Sequence, residues 1–266
     1  MIIVDEKTSL PFLASPYGLT IGSFDGVHRG HMKLIERLRA LCTPSGTIAV
    51  FTFRNHPSEF LNPETAVSLI CPLSQKLRLL EKAGVDLVFL NDFTSSVANM
   101  PYHNFITALH ERFPFSYLIL GAGSAFGKGR LGTDAKILGL AKTISFQVEY
   151  IPKMYVDDKE VSSRQIRSLI ERGEIEKASL FLGRPYSLLL PFPSQPNNKG
   201  YILHVPDLCL LPSNKYQSLL LLDGKQIESF IEVRKEEQKI LVPINDPSLS
   251  EKEIEIVFKR RCCINR

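Results

Sequence analysis

The chain has 266 residues, 44% of them hydrophobic and 23% charged, with a formal net charge of +4. That length holds one large or two modest domains with their own cores, and the weak, scattered charge suits anionic small molecules and argues against nucleic acid. No tract reaches the ~18 apolar residues of a membrane span, and the N-terminus carries no signal-peptide pattern.

Residues 1–18 read as an entry segment with two prolines, Pro11 and Pro16. Leu19 and Ile21 then read as the end of a buried strand, broken by Gly22-Ser-Phe-Asp-Gly26. After Gly30 the apolar residues fall at Met32, Leu34, Ile35, Leu38 and Leu41, which is helical spacing. A strand, a Gly-rich turn and a helix start in that order make a site for anions, because unpaired N–H groups and the positive end of the helix dipole point outward. His28 and His31 stand three residues apart there, so both imidazoles can face one phosphate. Gly30 lets the backbone approach without a Cβ in the way.

Residues 43–46 form a turn, and the β-branched, aromatic run Thr47–Phe53 predicts a second buried strand. It ends in Arg54-Asn-His-Pro57, a place where open α/β sheets bind ligands, with His56 as a bonding group and Phe60 as a flat wall. Ser74 reads as the N-cap of a helix running to Ala83, with Gly84 as its stop. A strand over 86–90, a helix over Tyr102–Arg112 and a strand over 115–120 follow. The next loop holds Phe126, Lys128 and Arg130 among glycines, so it can stack on a ring and supply charge to phosphate. A helix over 133–145 and a strand over Gln147–Ile151 complete an alternation that implies a parallel sheet covered on both faces. Ser162 or Ser163 caps a further helix, leaving Arg167 and free N–H groups for a second anion, and Ile175–Leu182 is a short closing helix. The five cysteines, Cys42, Cys71, Cys209, Cys262 and Cys263, form no Cys-x-x-Cys pair, which argues for reduced thiols in a cytoplasm and against a zinc site.

His28-Arg29-Gly30-His31 resembles the signature of the HxGH nucleotidyltransferases. Residues 1–184 are similar to the adenylyltransferase domain of the bacterial FAD synthetases, which also carry a riboflavin kinase domain. The motifs are Gly22 to His31, Phe51-Thr-Phe with His56-Pro57, Phe126-Gly-Lys-Gly-Arg130, Val161-Ser-Ser with Ile166-Arg167, and Leu182-Gly-Arg-Pro-Tyr186. The resemblance implies a Rossmann-like α/β domain with a parallel sheet, ATP and FMN as substrates, Mg²⁺ as helper, and FAD and pyrophosphate as products. It assigns Gly22, Phe24, Asp25, Gly26, His28, Gly30, His31, Ser162, Ser163 and Arg167 to ATP, with His28, His31 and Arg167 catalytic. His56, Pro57, Phe60, Phe126, Lys128 and Arg130 fall to FMN. No residue is assigned to a metal. Two helix starts and an arginine would then enclose one triphosphate.

Gly123-Ser124 stands where the family has Asp or Asn then Phe, and Arg164-Gln165 where it has Thr-Arg. Residues 185–266 read as a small β-barrel-like domain, with strands over 201–205, 216–222, 227–233, Lys239–Val242 and 253–258 and Asp223-Gly224 as a hairpin turn. The stretch from Leu188 to Gly200 lacks the family's Gly-Phe-Pro-Thr-Ala-Asn chemistry, so this domain reads as a shortened kinase barrel that has lost riboflavin kinase activity. Arg260-Arg-Cys-Cys263 reads as a solvated strand end. The alternatives are a bifunctional enzyme, another nucleotidyltransferase of the same class, and a non-catalytic nucleotide- or flavin-binding relative.

Overall fold

The computed structural model describes residues 1–10, 13–61, 63–193, 196, 200–222, 224–244 and 252–261. Its contacts divide the chain into two compact units, Met1–Val67 with Arg78–Tyr155, and Ser68–Leu77 with Val156–Arg266.

The first unit is built on a six-stranded sheet. Its strands are β1 (Ile2–Val4), β2 (Tyr17–Ile21), β3 (Thr47–Phe53), β4 (Leu87–Asn91), β5 (Tyr117–Gly121) and β6 (Gln147–Ile151), in the order β1-β4-β3-β2-β5-β6. Every neighbouring pair is parallel. β3 lies inside the sheet and buries all of its residues, which is why it reads as a continuous β-branched and aromatic run instead of an alternation. The helices are α1 (Arg29–Cys42), α2 (Pro57–Leu61), α3 (Leu73–Lys82), whose residues up to Leu77 belong to the second unit, α4 (Ser95–Asn99), α5 (Tyr102–Arg112) and α6 (Asp134–Ile144). Leu34, Ile35 and Leu38 form the buried stripe of α1, which packs on β2, β3 and β5. On the other face Leu19, Phe51, Phe89 and Leu118 pack with Ile106 of α5 and Ile137 of α6. Each such side chain contributes roughly 1.5–3 kcal/mol. β2 has β3 on one side and β5 on the other, so the chain leaves it in opposite directions and opens a crevice at the strands' carboxyl ends.

Two readings of the first segments are corrected. Residues 2–4 are not part of an entry segment; they form the edge strand β1, parallel to β4. Ser74 is not an N-cap, because α3 already begins at Leu73.

The second unit carries α7 (Ser163–Glu171) and α8 (Ile175–Leu182), preceded by a short ribbon of β7 (Tyr155–Val156) and β8 (Lys159–Glu160). Its barrel-like sheet has β9 (Ser187–Pro191), β10 (Tyr201–His204), β11 (Asn214–Leu222), β12 (Lys225–Arg234), β13 (Lys239–Val242) and β14 (Glu253–Arg261) in the antiparallel order β10-β13-β12-β11-β14-β9. Burial alternates along β11, with Tyr216, Ser218, Leu220 and Leu222 inward. The stretch after Tyr186 forms β9, a strand absent from the sequence reading, and pairs with β14. Buried Gln75 fixes β9 by donating to the Ser187 carbonyl at 2.9 Å and accepting the Leu189 N–H at 3.0 Å. Leu222 pairs with Lys225, leaving a two-residue connection in which Gly224 has φ +69°, while Asp223 lies outside the described residues. Cys42, Cys71 and Cys209 are buried free thiols; Cys262 and Cys263 lie outside the described residues. Among the described residues no helix is long and apolar enough to cross a membrane.

Candidate active site

β2 runs directly into the turn that carries the histidines. The Gly22 N–H donates to the Phe51 carbonyl at 3.0 Å, extending the ladder by one bond. Three residues then adopt left-handed backbone: Phe24 at φ +51°, Gly26 at +76° and Val27 at +37°. Glycine takes such a φ at no cost, whereas a β-branched valine there is strained. Burial holds it in place, since Phe24 and Val27 are 0% and 2% exposed. Thr52 Oγ1 also donates to the Ser23 carbonyl at 3.0 Å.

The turn delivers His28 as the N-cap of α1. The His28 Nδ1 accepts the His31 N–H at 3.4 Å, and the His31 Nδ1 accepts the His28 N–H at 3.3 Å. The two rings stack with centroids 3.7 Å apart and planes 14° from parallel, and Phe24 packs on His31 at 4.7 Å. A nitrogen that accepts holds no proton, so each neutral ring carries its N–H on Nε2. The pair therefore sets two imidazoles side by side at one helix start. The first turn of α1 holds no acidic residue. Its Arg29 and Gly30 N–H groups lie beyond the reach of any intrahelical carbonyl, so the helix start is electropositive.

At the crevice between the ends of β2, β3 and β5 lies a cavity of about 490 Å³, within the usual size of small-molecule sites. Ile21, Gly22 and Ser23 reach it from β2, Phe53 from β3, and Ser124 to Gly127 from the loop after β5. Phe93 and Phe105 wall it. Phe53 meets Phe93 edge-on at 5.0 Å, and Phe105 meets Phe51 in the same way at 5.2 Å. Four of the residues assigned to flavin, His56, Pro57, Phe126 and Arg130, line this cavity. Lys128 and Phe60 are not among the lining residues, and Phe60 is 44% exposed while its ring faces Phe93 at 6.2 Å. His56 also acts as a local cap: its Nδ1 accepts the Ser58 N–H at 3.1 Å, and its own N–H donates to Glu59 at 3.0 Å.

The Gly-rich loop is a folded knob docked on the start of α5. A Cβ on Gly127 would lie 2.4 Å from the Tyr102 nitrogen, and one on Gly132 would lie 2.5 Å from the Tyr102 Cβ. The Lys128 N–H donates to the Met100 carbonyl at 2.8 Å, and Phe126 pairs with Gly132. These contacts set where Phe126 stands. Ser162, Ser163 and Arg167 belong to the second unit, where Ser162 caps α7 by accepting the Gln165 N–H at 3.4 Å.

Sequence reasoning missed Phe93, Phe105 and Leu61 as cavity walls. Only Phe93 carried a usable signal, an aromatic two residues past a strand end and before a Thr-Ser-Ser cap.

A doubly wound parallel sheet, with a histidine pair at its first crossover helix and an aromatic cavity at its switch point, defines a nucleotidyltransferase-type α/β domain. The family model described as FAD synthetase matches residues 13–165. The chain belongs to the FAD synthetase family. It is 31% identical over 194 residues to a bifunctional riboflavin kinase/FMN adenylyltransferase of Listeria monocytogenes, covering 70% of this chain and 56% of that protein. A second Listeria monocytogenes protein, an FAD synthetase, is 30% identical over 169 residues, covering 63% of this chain and 69% of that one. The chain thus spans about 56% of the length of the bifunctional relatives it matches. A crystal structure titled as a macrolide-efflux protein from Streptococcus pneumoniae shares the fold, with a TM-score of 0.81 at 20% identity over 98% of this chain and 91% of that one.

Proposed function

We propose that the chain transfers AMP from ATP to FMN, releasing pyrophosphate and forming FAD. The observation that carries this reading is the stacked pair of imidazoles that cap the start of α1, reached by one turn from a strand whose end lines an aromatic cavity. An FMN phosphate oxygen would attack the α-phosphorus of ATP in line. One P–O bond forms as the bond to the β-phosphate oxygen breaks, and pyrophosphate leaves with that electron pair. His28 and His31 would stabilise the charge that develops, while the cavity holds the flavin ring, so catalysis is positioning and electrostatics without a covalent enzyme intermediate. On the family's serine motif alone, Ser162, Ser163 and Arg167 are assigned to ATP.

Mg²⁺ is the expected companion of the triphosphate. It would be carried largely on phosphate oxygens and water, the usual mode for Mg²⁺ with a nucleotide.

We further propose that riboflavin kinase activity is lost, because the stretch from Leu188 to Gly200 holds no Thr and its asparagines, Asn197 and Asn198, do not stand in the family's Gly-Phe-Pro-Thr-Ala-Asn order. Supplying riboflavin and ATP to the full chain tests this. The expected result is no FMN; its formation at an enzymatic rate would restore the bifunctional reading.

A further inference from the structure

We infer that Asn55 is a positioning residue for the aromatic cavity, acting through Phe93; this rests on the reading of that cavity as the flavin site. Asn55 lies just beyond β3, and Phe93 between β4 and α4. The Asn55 Oδ1 accepts the Phe93 N–H at 2.8 Å, and its Nδ2 donates to the Phe93 carbonyl at 3.1 Å. One carboxamide thus engages both main-chain polar atoms of a loop residue, much as a neighbouring strand would. Arg54 extends the staple, its N–H donating to the Asn91 carbonyl and its Nη1 to the Leu90 carbonyl, both at 2.9 Å.

The consequence is geometric. Phe93 lies outside any strand or helix, yet it walls the cavity and meets Phe53 at 90°. Aromatic contacts depend on ring orientation as well as distance, so a wall free to swing loses most of its value to a planar ligand. Asn55 converts a loop phenylalanine into a fixed one. It does so from the strand end next to His56, so one short segment both lines and braces the cavity.

The chain contains no tryptophan, so Phe93→Trp supplies a single fluorescent reporter at the wall. Adding Asn55→Ala to that protein is expected to lower the reporter's anisotropy. In the natural background Asn55→Ala should weaken FMN binding, read from flavin fluorescence, about tenfold. Combined with Phe93→Ala it should weaken binding no further, because it acts through the same side chain. Asn55→Asp keeps the acceptor and loses the donor, so it should fall between; it also carries the test if Asn55→Ala does not fold. Unchanged anisotropy and affinity in Asn55→Ala overturn the inference, as do losses that multiply in the double variant. If the parent protein fails to bind FMN, the flavin reading itself fails, and the anisotropy alone then decides whether Asn55 holds residue 93.

Discussion

His28 and His31 cap one another: each ring's Nδ1 accepts the other residue's backbone N–H, at 3.4 and 3.3 Å, while the rings stack 3.7 Å apart. The same atoms that close the helix start fix which nitrogen of each ring can donate. Structure and chemistry are therefore separable by substitution. His28→Ala should remove both the cap, at a cost of about 1 kcal/mol, and the donor. His28→Asn should keep the cap and the folding stability. Both variants, and His31→Ala, should slow FAD formation by roughly a hundredfold or more, the value of a donor on a developing anion. Denaturation curves alongside initial rates check this, and a His28→Asn rate near that of the natural protein would remove His28 from the chemistry.

Gly127 is the hinge on which Phe126 depends. It has φ +71°, and an added Cβ would overlap the Tyr102 backbone at 2.4 Å. Gly127→Ala should displace the loop, weaken FMN binding about tenfold and cost on the order of 1–3 kcal/mol. Gly129 has φ +61° but an added Cβ would meet only Leu131, at 3.9 Å. Gly129→Ala should therefore be the milder change, and equal losses in the two variants would show that contact with Tyr102 does not place the loop.

The histidine pair and the alternation of strands and helices were legible because both rest on local spacing: a strand end, a Gly-rich turn and a 3.6-residue period. The mutual cap was not, since side-chain capping favours Ser, Thr, Asp and Asn and gives no reason to look for imidazole. His56 and Phe126 could be read from their places at strand exits, and Phe93 stands at a similar exit, past β4. Phe105 could not, because it reaches the cavity only through the packing of α5. β1 escaped because three residues with Ile2 and Ile3 exposed carry no period, and β9 because prolines at 191 and 193 masked a strand that sits on a sheet edge.

Tyr150 keeps its hydroxyl buried, with no hydrogen-bond partner among the described residues. Burial first, and Asp134 second, push its phenol up to about 12 from an ordinary 10.0. Above pH 10 the unfolded chain loses this proton while the folded one keeps it, so the stability it contributes falls as the pH rises toward 12. Tyr150→Phe preserves the ring, should leave neutral-pH stability unchanged or raised, and should lessen that alkaline loss relative to the natural protein. A clear loss of stability at neutral pH would mean the hydroxyl is bonded.

Glu174 accepts Lys177 Nζ and Arg172 Nε, each at 2.6 Å, at the start of α8. The bond from Lys177, then that from Arg172, holds its carboxyl down to about 2 from an ordinary 4.5. Its folded value is the lower one, so its contribution is complete above 4.5 and lost as the pH falls toward 2. Glu174→Gln should therefore be less stable than the natural protein near neutrality, and the difference should vanish near pH 2. A difference of constant size across that range would assign it to packing.

The central claim is that one site joins a nucleotide to a flavin. The 266-residue chain mixed with ATP, Mg²⁺ and FMN, and followed by chromatography, should yield FAD and pyrophosphate in equal amounts, with His31→Ala slowed roughly a hundredfold or more. Binding of ATP and FMN with no FAD formed would contradict the account and leave a flavin- and nucleotide-binding protein in its place.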